Sequence, residues 1–234
     1  MTNATPPRRL LLIGASRGLG LALAEEFHRR GWHVVGTVRS SGRTRLHDLA
    51  DGSGGRVEVE TVDIAEPAQV AALHARLAAR RFELLFVNAG VKNDDAETIA
   101  DVATEEFVRV MVTNALSPMR VIERLRGLVV SGGTIGVMSS GQGSVANNVG
   151  GGYEVYRASK AALNTLMRSF AARTREEGAT LLLMAPGWVR TDIGGARAPL
   201  AIEDSIPRLV GVMEAQAGKG GLQYLDYLGR TVPW

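Results

Sequence analysis

The sequence predicts an α/β fold in which helices cover both faces of a doubly wound parallel sheet. Short apolar runs alternate with longer segments of helical periodicity along most of the chain. One run, at residues 84–87, is apolar throughout, as expected of a strand that is buried on both faces. This alternation is typical of βαβ units, and their right-handed crossovers favour the doubly wound arrangement.

The predicted elements follow one another at intervals that suit this topology. Strands are expected at residues 9–13, 32–38, 56–62, 84–87, 134–138 and 179–184. Helices are expected at residues 19–30, 67–80, 102–114, 117–130 and 154–176. Gly31 is typical of a residue that ends a helix, and Pro67 is typical of a first helical turn. A single domain is expected over residues 9–234, preceded by a flexible tail at residues 1–8.

The composition disfavours several kinds of site and partner. The chain contains no cysteine, and its four histidines form no helical H-x-x-x-H pair, so no metal site is expected. The formal net charge of +3 is too small to indicate a nucleic-acid partner. No stretch approaches the ~18 apolar residues of a membrane span, and the N-terminal region has no apolar signal segment. A cytoplasmic protein without a membrane partner is therefore expected.

A glycine cluster lies where the first predicted strand meets the first helix. Gly14, Gly18 and Gly20 allow the backbone to turn tightly and approach a pyrophosphate at the helix N-terminus. This strand–glycine–helix context predicts a Rossmann-type dinucleotide-binding domain. Residues 14–18 also match G-x-S-x-G, the nucleophile elbow of serine hydrolases. Such a hydrolase needs a later histidine, and the last histidine is His74, so this alternative is disfavoured.

Four motifs, in order along the chain, carry a resemblance to a known family. The glycine spacing is G-x-x-x-G-x-G, and N-A-G, S-S-G-Q-G and Y-R-A-S-K follow at residues 88–90, 139–143 and 156–160. Together they resemble the short-chain dehydrogenase/reductase family over nearly the whole chain. The G-W-V-R-T-D segment at 187–192 is similar to C-factor-like and sniffer-like carbonyl reductases of that family. The resemblance implies an oxidoreductase that transfers a hydride between a nicotinamide cofactor and a carbonyl or alcohol.

The last motif contains residues suited to proton transfer. Tyr156 and Lys160 are four positions apart on a predicted helix and therefore share one face. A nearby ammonium favours the phenolate, so Lys160 is expected to lower the pKa of Tyr156 from about 10. Tyr156 is then expected to donate a proton to a carbonyl oxygen, which the Ser140 hydroxyl would also hold. The resemblance implies that Asn114 positions a water in the proton relay and that Lys160 binds the cofactor ribose.

Two of these catalytic assignments have competitors in the sequence. Tyr153 also precedes a cation by four positions, but the Ser-Lys dipeptide favours Tyr156 as the proton donor. The gap between Ser140 and Tyr156 is longer than usual in the family, and Ser144 would shorten it. Ser140 is preferred because its S-S-x-x-G context at a strand end matches the family. The choice between Ser140 and Ser144 otherwise stays open.

The end of the second predicted strand indicates which nicotinamide cofactor is used. An acidic residue there binds the ribose 2′-hydroxyl of NAD, whereas a basic residue accommodates the 2′-phosphate of NADP. Arg39 occupies this place, Ser40 follows it, and Arg17 lies in the glycine loop, so NADP(H) is expected. With the positions that the resemblance implies, the expected cofactor-binding residues are Gly14, Ser16, Arg17, Gly18, Leu19, Gly20, Arg39, Ser40, Asp63, Ile64, Asn88, Ala89, Gly90, Tyr156, Lys160, Pro186, Gly187, Val189 and Thr191.

The substrate pocket is expected outside the carboxyl ends of the strands. Its expected lining is Ser140 with the mostly apolar Val149, Tyr153, Trp188 and Ile193, although Trp188 suits the core equally well. No further lysine or arginine is expected to point inward, so a small apolar aldehyde, ketone or quinone is the expected substrate. Residues 193–205 are expected to form a loop that closes over it.

The resemblance also bears on assembly and on alternative functions. Helices near residues 102–130 and 154–176 pair subunits in many relatives, so a homodimer or homotetramer is expected. An alternative function is an NADP(H)-binding regulatory or signalling protein without significant turnover. The complete Asn, Ser, Tyr and Lys set favours an enzyme, because a regulatory protein has no chemical need for it. Members with epimerase or dehydratase chemistry usually contain a second region that this chain lacks.

Overall fold

The computed structural model describes residues 7–234 and contains one seven-stranded sheet. Its strands are β1 Arg9–Ile13, β2 His33–Val38, β3 Val57–Thr61, β4 Phe82–Val87, β5 Val129–Met138, β6 Thr180–Ala185 and β7 Gly221–Asp226. All neighbouring strands are parallel, in the order β3-β2-β1-β4-β5-β6-β7. The predicted doubly wound, Rossmann-type sheet is therefore confirmed.

The helices connect these strands as crossovers on both faces of the sheet. They are α1 Gly18–Arg29, α2 Arg45–Gly52, α3 Pro67–Leu77, α4 Thr104–Met111, α5 Ser117–Leu125, α6 Glu154–Arg173 and α7 Ile202–Gln216. A π-helical turn, Val112–Leu116, joins α4 to α5. Helices α1 and α6 begin at the carboxyl edge of the sheet, which brings their first residues next to the strand ends.

Alternating side chains of each strand supply two separate apolar layers, because successive residues of a strand point to opposite faces. Leu11 of β1 belongs to a cluster that contains buried residues of α3, α5 and α6. Leu12 belongs to a second cluster, with buried residues of α1, α2 and α7. Both leucines are fully buried, and each such burial stabilises the fold by about 1.5–3 kcal/mol.

The strand order reverses between β1 and β4. From β1 the chain proceeds outward to β2 and β3, whereas β4 lies on the other side of β1 and is followed by β5, β6 and β7. The last residues of the two central strands, Ile13 and Val87, are partners in the sheet register. Ligands of open α/β sheets bind in the crevice outside such a reversal point, so the fold places the candidate site there.

Three elements of the structure are missing from the sequence-based prediction. Helix α2 buries only Leu46, so it shows no extended apolar period. Helix α7 begins at Ile202, inside the segment predicted as a loop, and it contains Pro207, which is typical of a helix break. Strand β7 begins at Gly221 and is only partly buried over its first residues. Weak periodicity and unfavourable residues explain these three omissions.

The N-terminal tail predicted at residues 1–8 lies mostly outside the described residues. Arg8, at its end, is described, and its guanidinium lies 2.7 Å from Glu214 Oε1 and 4.3 Å from the centre of the Trp32 ring. Within residues 7–234, no helix has the length and apolar character needed to cross a membrane.

Candidate active site

The glycine loop between β1 and α1 packs closely against the chain that follows β4. A Cβ on Gly14, which has φ +89°, would lie 2.8 Å from atoms of Ala89. A Cβ on Gly20 would collide with the Gly14 carbonyl oxygen. In contrast, a Cβ on Gly18 would have no neighbour within 4 Å, so the loop is open in front of the α1 N-terminus. This loop can therefore receive a pyrophosphate against free backbone N–H groups.

Hydrogen bonds with Thr37 of β2 and with Asn88, just after β4, hold the glycine loop in place. Asn88 Nδ2 donates to the Gly14 carbonyl oxygen over 2.8 Å. The Gly14 N–H donates to Thr37 Oγ1 over 2.9 Å, and Thr37 is 1% exposed. Sequence reasoning missed Thr37, although a lone hydroxyl near the end of an apolar strand was an available signal. The positions predicted to contact the cofactor here, 14, 16–20 and 88–90, therefore lie together.

The residues predicted to surround the adenosine half lie at the carboxyl ends of β2 and β3. Arg39 and Ser40 follow β2 and are exposed, and no ion pair of the described chain includes Arg39. Asp63 Oδ1 accepts a hydrogen bond from the Ala65 N–H over 2.9 Å, which fixes the turn after β3. Ile64 beside it is 6% exposed. An uncommitted guanidinium at this edge suits an anionic group.

Tyr156 and Ser140 face each other at the carboxyl edge. Tyr156 lies in the first turn of α6, and Ser140 lies just beyond β5, with the two hydroxyl groups in hydrogen-bonding reach. Burial raises the pKa of Tyr156 to about 12, a hydrogen bond from Ser140 opposes this rise, and nearby Tyr224 adds to it. Tyr156 is therefore a protonated hydroxyl at neutral pH and is available as a proton donor.

Lys160 lies one turn further along α6 and is almost completely buried. Its Nζ donates to the Met138 carbonyl oxygen over 2.9 Å and lies 5.8 Å from the centre of the Tyr156 ring. Burial lowers the pKa of Lys160 from 10.5 to about 8. The pKa of Tyr156 is thus raised in this structure rather than lowered as expected from Lys160, because burial is the largest influence on it and the Lys160 ammonium donates to Met138.

Asn114 lies in the π-helical turn between α4 and α5, a local geometry that is frequent at functional sites. Its Oδ1 accepts from the Val91 N–H, and its Nδ2 donates to Val91 O and Ser159 Oγ at 2.8–3.0 Å. A Cβ on Gly90 would lie 3.3 Å from Asn114 Oδ1 and 3.5 Å from Lys160 Nζ. The structure thus brings Asn114 and Lys160 together at Gly90, although the Asn114 side chain is engaged by protein partners.

The two competing assignments differ clearly in their geometry. Ser144 is fully buried, and its Oγ accepts a hydrogen bond from the Asn147 N–H, whereas Ser140 lies beside Tyr156. Tyr153 precedes α6 in a left-handed conformation with φ 52°, which is strained for a tyrosine. Its carbonyl oxygen accepts the helical hydrogen bond from the Arg157 N–H, but the Arg157 guanidinium donates to the Gly152 carbonyl oxygen over 2.8 Å. The geometry favours Ser140 with Tyr156.

The segment after β6 follows the crevice and turns back on itself. Pro186 is buried, and its carbonyl oxygen accepts from Ser205 Oγ over 2.6 Å. Val189 is also buried and bridges to Leu200, while Thr191 Oγ1 accepts from the Gly194 N–H over 3.0 Å. The predicted positions 186, 187, 189 and 191 therefore form one folded border of the crevice.

The predicted pocket walls are less enclosed than expected. Trp188 is 52% exposed, so it does not lie in the core, and its Nε1 donates to the Gly194 carbonyl oxygen over 2.7 Å. Ile193 is 38% exposed and Val149 is 95% exposed. Val149 lies in the loop between β5 and α6, where the described chain leaves its side chain in solvent.

Two cations that reach the segment after β6 were not expected at this border. Lys92 Nζ donates to the Ile193 carbonyl oxygen over 2.6 Å and lies 5.9 Å from the centre of the Tyr153 ring. Arg17 Nη1 lies 2.6 Å from Asp192 Oδ2 across the crevice. Lys92 therefore lies at the border of the expected pocket, and no periodic pattern in the sequence indicates its orientation.

The family model described as Enoyl-(Acyl carrier protein) reductase matches residues 14–206. A crystal structure of a short-chain dehydrogenase/reductase from Burkholderia multivorans with bound NADP is 57% identical, with TM-score 0.96 over 98% of this chain and 100% of that one. A carbonyl reductase from Pseudomonas aeruginosa PAO1 in complex with NADP is 37% identical, with TM-score 0.90 over 97% and 100%. C-signal from Myxococcus xanthus is 36% identical over 65% of this chain and 92% of its own length.

The glycine loop, the Ser140–Tyr156–Lys160 cluster and these similarities all indicate the same family. The chain belongs to the short-chain dehydrogenase/reductase family, a family of oxidoreductases. The resemblance to carbonyl reductases and to C-factor-like proteins that the sequence predicts is confirmed by the similar structure and the curated relative.

Proposed function

We propose that this protein is an NADPH-dependent carbonyl reductase that acts on small apolar aldehydes, ketones or quinones. The observation that carries the proposal is the convergence of Tyr156, Ser140, Lys160 and Asn114 at the carboxyl edge, beside an open glycine loop. A proton donor, a second hydroxyl and a buried ammonium at one place suit the addition of a hydride and a proton to a carbonyl group.

The choice of NADP(H) is supported from two directions. Structures similar to this chain over 97–98% of its length contain bound NADP. In this chain, Arg39 stands where a 2′-phosphate would require a cation, and its guanidinium is exposed without an ion pair in the described residues. Arg17 can add a second cation if it leaves Asp192. The glycine loop fits the pyrophosphate, because its Cβ-free positions leave the backbone N–H groups accessible.

Each polar residue of the cluster has a distinct part in the proposed reaction. The cofactor, when bound, supplies a hydride to the carbonyl carbon. Tyr156 donates its hydroxyl proton to the carbonyl oxygen, which yields the alcohol and leaves a phenolate. The Ser140 hydroxyl, in reach of the Tyr156 hydroxyl, donates to the same oxygen and stabilises its developing negative charge. The Lys160 ammonium, 5.8 Å from the Tyr156 ring, stabilises the phenolate until solvent returns the proton.

The substrate class rests on the lining of the crevice. Trp188 and Ile193 offer apolar surface next to the segment after β6, and Tyr153 offers an aromatic ring. The cation that reaches this place, Lys92, is engaged by the Ile193 carbonyl oxygen and by Asp95 Oδ1, each at 2.6 Å. Its charge is therefore compensated, which supports an uncharged substrate.

We also propose that the protein assembles as a homo-oligomer through α4 and α6. Apolar side chains on this side of the chain are unusually exposed: Val108 of α4 at 49% and Leu166 of α6 at 39%. Sedimentation at micromolar concentration is expected to give a species heavier than the 24.9 kDa chain. A monomer at all concentrations would contradict this part of the proposal.

The test of the enzymatic function follows NADPH absorbance with a panel of aldehydes, ketones, dicarbonyls and quinones. We expect turnover that Tyr156→Phe reduces by about 10²–10⁴-fold, because the ring is kept and only the proton donor is lost. Ser140→Ala and Ser144→Ala form a matched pair, of which only Ser140→Ala is expected to lower kcat. Tight NADPH binding without turnover of any carbonyl would instead favour the regulatory alternative, and preference for NADH would contradict the cofactor assignment.

A further inference from the structure

A tyrosine on the last strand of the sheet contacts the backbone of the turn that contains Ser140. Tyr224 lies on β7 and is 2% exposed. Its hydroxyl donates a hydrogen bond to the backbone carbonyl oxygen of Ser140. The contact joins residues that are distant in sequence, and it was not expected because β7 itself was not predicted.

The contact belongs to a buried network that fixes the turn after β5. Ser139 Oγ donates to Asn164 Oδ1 over 2.6 Å, and Asn164 Nδ2 donates to the Gly143 carbonyl oxygen over 3.1 Å. Tyr224 holds the Ser140 carbonyl oxygen between these two contacts. The backbone of the turn is thus held on both sides of Ser140, whose side chain faces Tyr156.

The Tyr224 hydroxyl remains a donor under ordinary conditions. Burial raises its pKa, and hydrogen bonds that involve Asn164 and Ser139 only partly oppose this rise. Tyr224 is also close enough to Tyr156 to influence that hydroxyl electrostatically. A protonated Tyr224 therefore lies next to Ser140 and close to Tyr156.

The C-terminal segment packs against Tyr224 and against the loop between β5 and α6. The Val232 N–H donates to the Tyr224 carbonyl oxygen over 2.9 Å, and the Trp234 ring lies 5.4 Å from the Tyr224 ring. The Ala146 N–H donates to the Trp234 carbonyl oxygen over 3.0 Å. Arg168 of α6 lies 4.5 Å from the Trp234 ring. Tyr224 is therefore confined, and its hydroxyl has little freedom to leave the Ser140 carbonyl.

We propose that Tyr224 is a positioning residue for carbonyl reduction, which acts by fixing the backbone of Ser140 so that the serine hydroxyl faces Tyr156 and the carbonyl oxygen. This inference rests on the proposed function. Tyr224 does not touch the substrate in this account. Its effect passes through Ser140, and that dependence makes it testable separately from a general role in stability.

The experiment compares Tyr224→Phe in the wild-type and Ser140→Ala backgrounds. Loss of one hydrogen bond to the Ser140 carbonyl is expected to lower kcat by about five- to thirtyfold, with the NADPH dissociation constant unchanged. In the Ser140→Ala background, the same change is expected to lower kcat by less than about twofold, because interacting residues are not additive. Loosening of Ser140 also weakens a hydrogen bond that lowers the pKa of Tyr156. The pKa of Tyr156 should therefore rise, and the high-pH decline of kcat is expected to shift to higher pH.

Thr180→Val is the matched control for loss of a buried hydroxyl. Thr180 is fully buried at the other end of the β6–β7 pair, where its Oγ1 accepts from the Gly220 N–H over 3.0 Å. The Thr180→Val substitution is expected to lower the midpoint of thermal unfolding without changing kcat. An equal loss of kcat from Tyr224→Phe in both backgrounds, or a loss matched by Thr180→Val, would overturn the role of Tyr224. Wild-type protein without carbonyl turnover would overturn the proposed function itself, and this role with it.

Discussion

The amino edge of the sheet, where its parallel strands begin, differs from the carboxyl edge, where they end, in how the charged side chains are paired. At the amino edge, charged side chains are paired with one another. Glu214 of α7 accepts hydrogen bonds from Arg8, Arg30 and the Trp32 indole at 2.7–2.9 Å. Arg30 also contacts Glu26 Oε1 over 2.6 Å, and the side chains of Arg30, Glu26 and Glu214 are largely shielded from solvent.

At the carboxyl edge, the corresponding groups lack such partners. Lys160 is buried, and its Nζ has a neutral carbonyl oxygen as its acceptor within the described chain. Arg39 is exposed beyond β2, and Tyr156 is kept protonated by burial. The Arg17–Asp192 ion pair at this edge is highly exposed, and exposed pairs contribute little to stability.

This difference separates stability from function within one sheet. Charges at the amino edge satisfy each other and connect α1, α7 and the start of the sheet. Lys160 and Arg39 at the carboxyl edge have no carboxylate partner within the described chain, and the burial of Lys160 has a cost in stability, as is common where a protein binds ligands and performs chemistry. Loss of Glu214 at the amino edge should therefore lower the free energy of unfolding without changing activity, whereas loss of Lys160 at the carboxyl edge should raise the free energy of unfolding and lower activity.

The largest effect is expected from Lys160→Met. Removal of the buried ammonium should lower kcat/KM by at least about 10²-fold, because the Tyr156 phenolate loses its stabilising charge. The free energy of unfolding at pH 7 should rise by on the order of 1–3 kcal/mol, since the folded protein no longer desolvates a charge.

The pH dependence of that gain checks its cause. The pKa of Lys160 is lowered from 10.5 to about 8 in the folded protein, so its charge destabilises the fold fully below pH 8. As the pH rises from about 8 to about 10.5, the unfolded state loses its advantage in binding the proton. The stability difference between Lys160→Met and wild type, measured by urea unfolding, should therefore shrink over this window. A constant difference would point to packing instead.

Arg39→Ala should have the next largest effect and sharpens the view of the carboxyl edge as a cofactor-binding surface. Loss of a charge-assisted contact to a 2′-phosphate is expected to raise KM for NADPH by about tenfold to a hundredfold and to leave KM for NADH nearly unchanged. Arg43→Ala is the matched control, because the Arg43 guanidinium is already paired with Asp48 and Asp51. Equal losses for both cofactors would contradict this assignment.

Glu214→Gln should have the smallest effect and acts on the amino edge. It weakens three hydrogen bonds at a partly buried site, so the free energy of unfolding should fall by about 1–2 kcal/mol while kcat and KM stay unchanged. Burial by itself would raise the pKa of Glu214, but hydrogen bonds from Arg30 and Trp32 and the charges of Arg8 and Arg30 together lower it below 4.5. Its contribution is therefore present above pH 4.5 and should disappear as the pH falls below that value.

A matched carboxylate is available to check the Glu214 prediction. Glu25 lies on α1 and is exposed, so Glu25→Gln should leave stability within about 0.5 kcal/mol of wild type. A loss of activity from Glu214→Gln would break the proposed separation between the two edges.

The part of the fold that depends on local signals could be predicted from the sequence. The predicted bounds of β1 agree with the structure, because the strand is a short apolar run and the glycine cluster marks its end. The parallel order followed from the handedness of crossovers. Helix α7 and strand β7 could not be predicted, since Pro207 and Gly221 contradict their local propensities and tertiary packing overrides them.

The candidate site was predictable to a similar extent. Motif spacing placed Tyr156 and Lys160 on one face of α6. The direction of the Tyr156 pKa could not be obtained from spacing, because desolvation depends on how the whole crevice is covered. The contributions of Thr37, Lys92 and Tyr224 depend on contacts between distant segments, which no local pattern encodes.

In the proposed reaction, a hydride passes from NADPH to a carbonyl carbon at the carboxyl edge, with Tyr156 as the proton donor. The most direct measurement uses NADPH with deuterium at C4, in each of its two stereochemical forms, and a carbonyl that the panel identifies. We predict that one form gives an alcohol with deuterium on the former carbonyl carbon, and that Tyr156→Phe binds NADPH but forms almost none of it. An alcohol without deuterium from both forms, or full activity of Tyr156→Phe, would contradict the account.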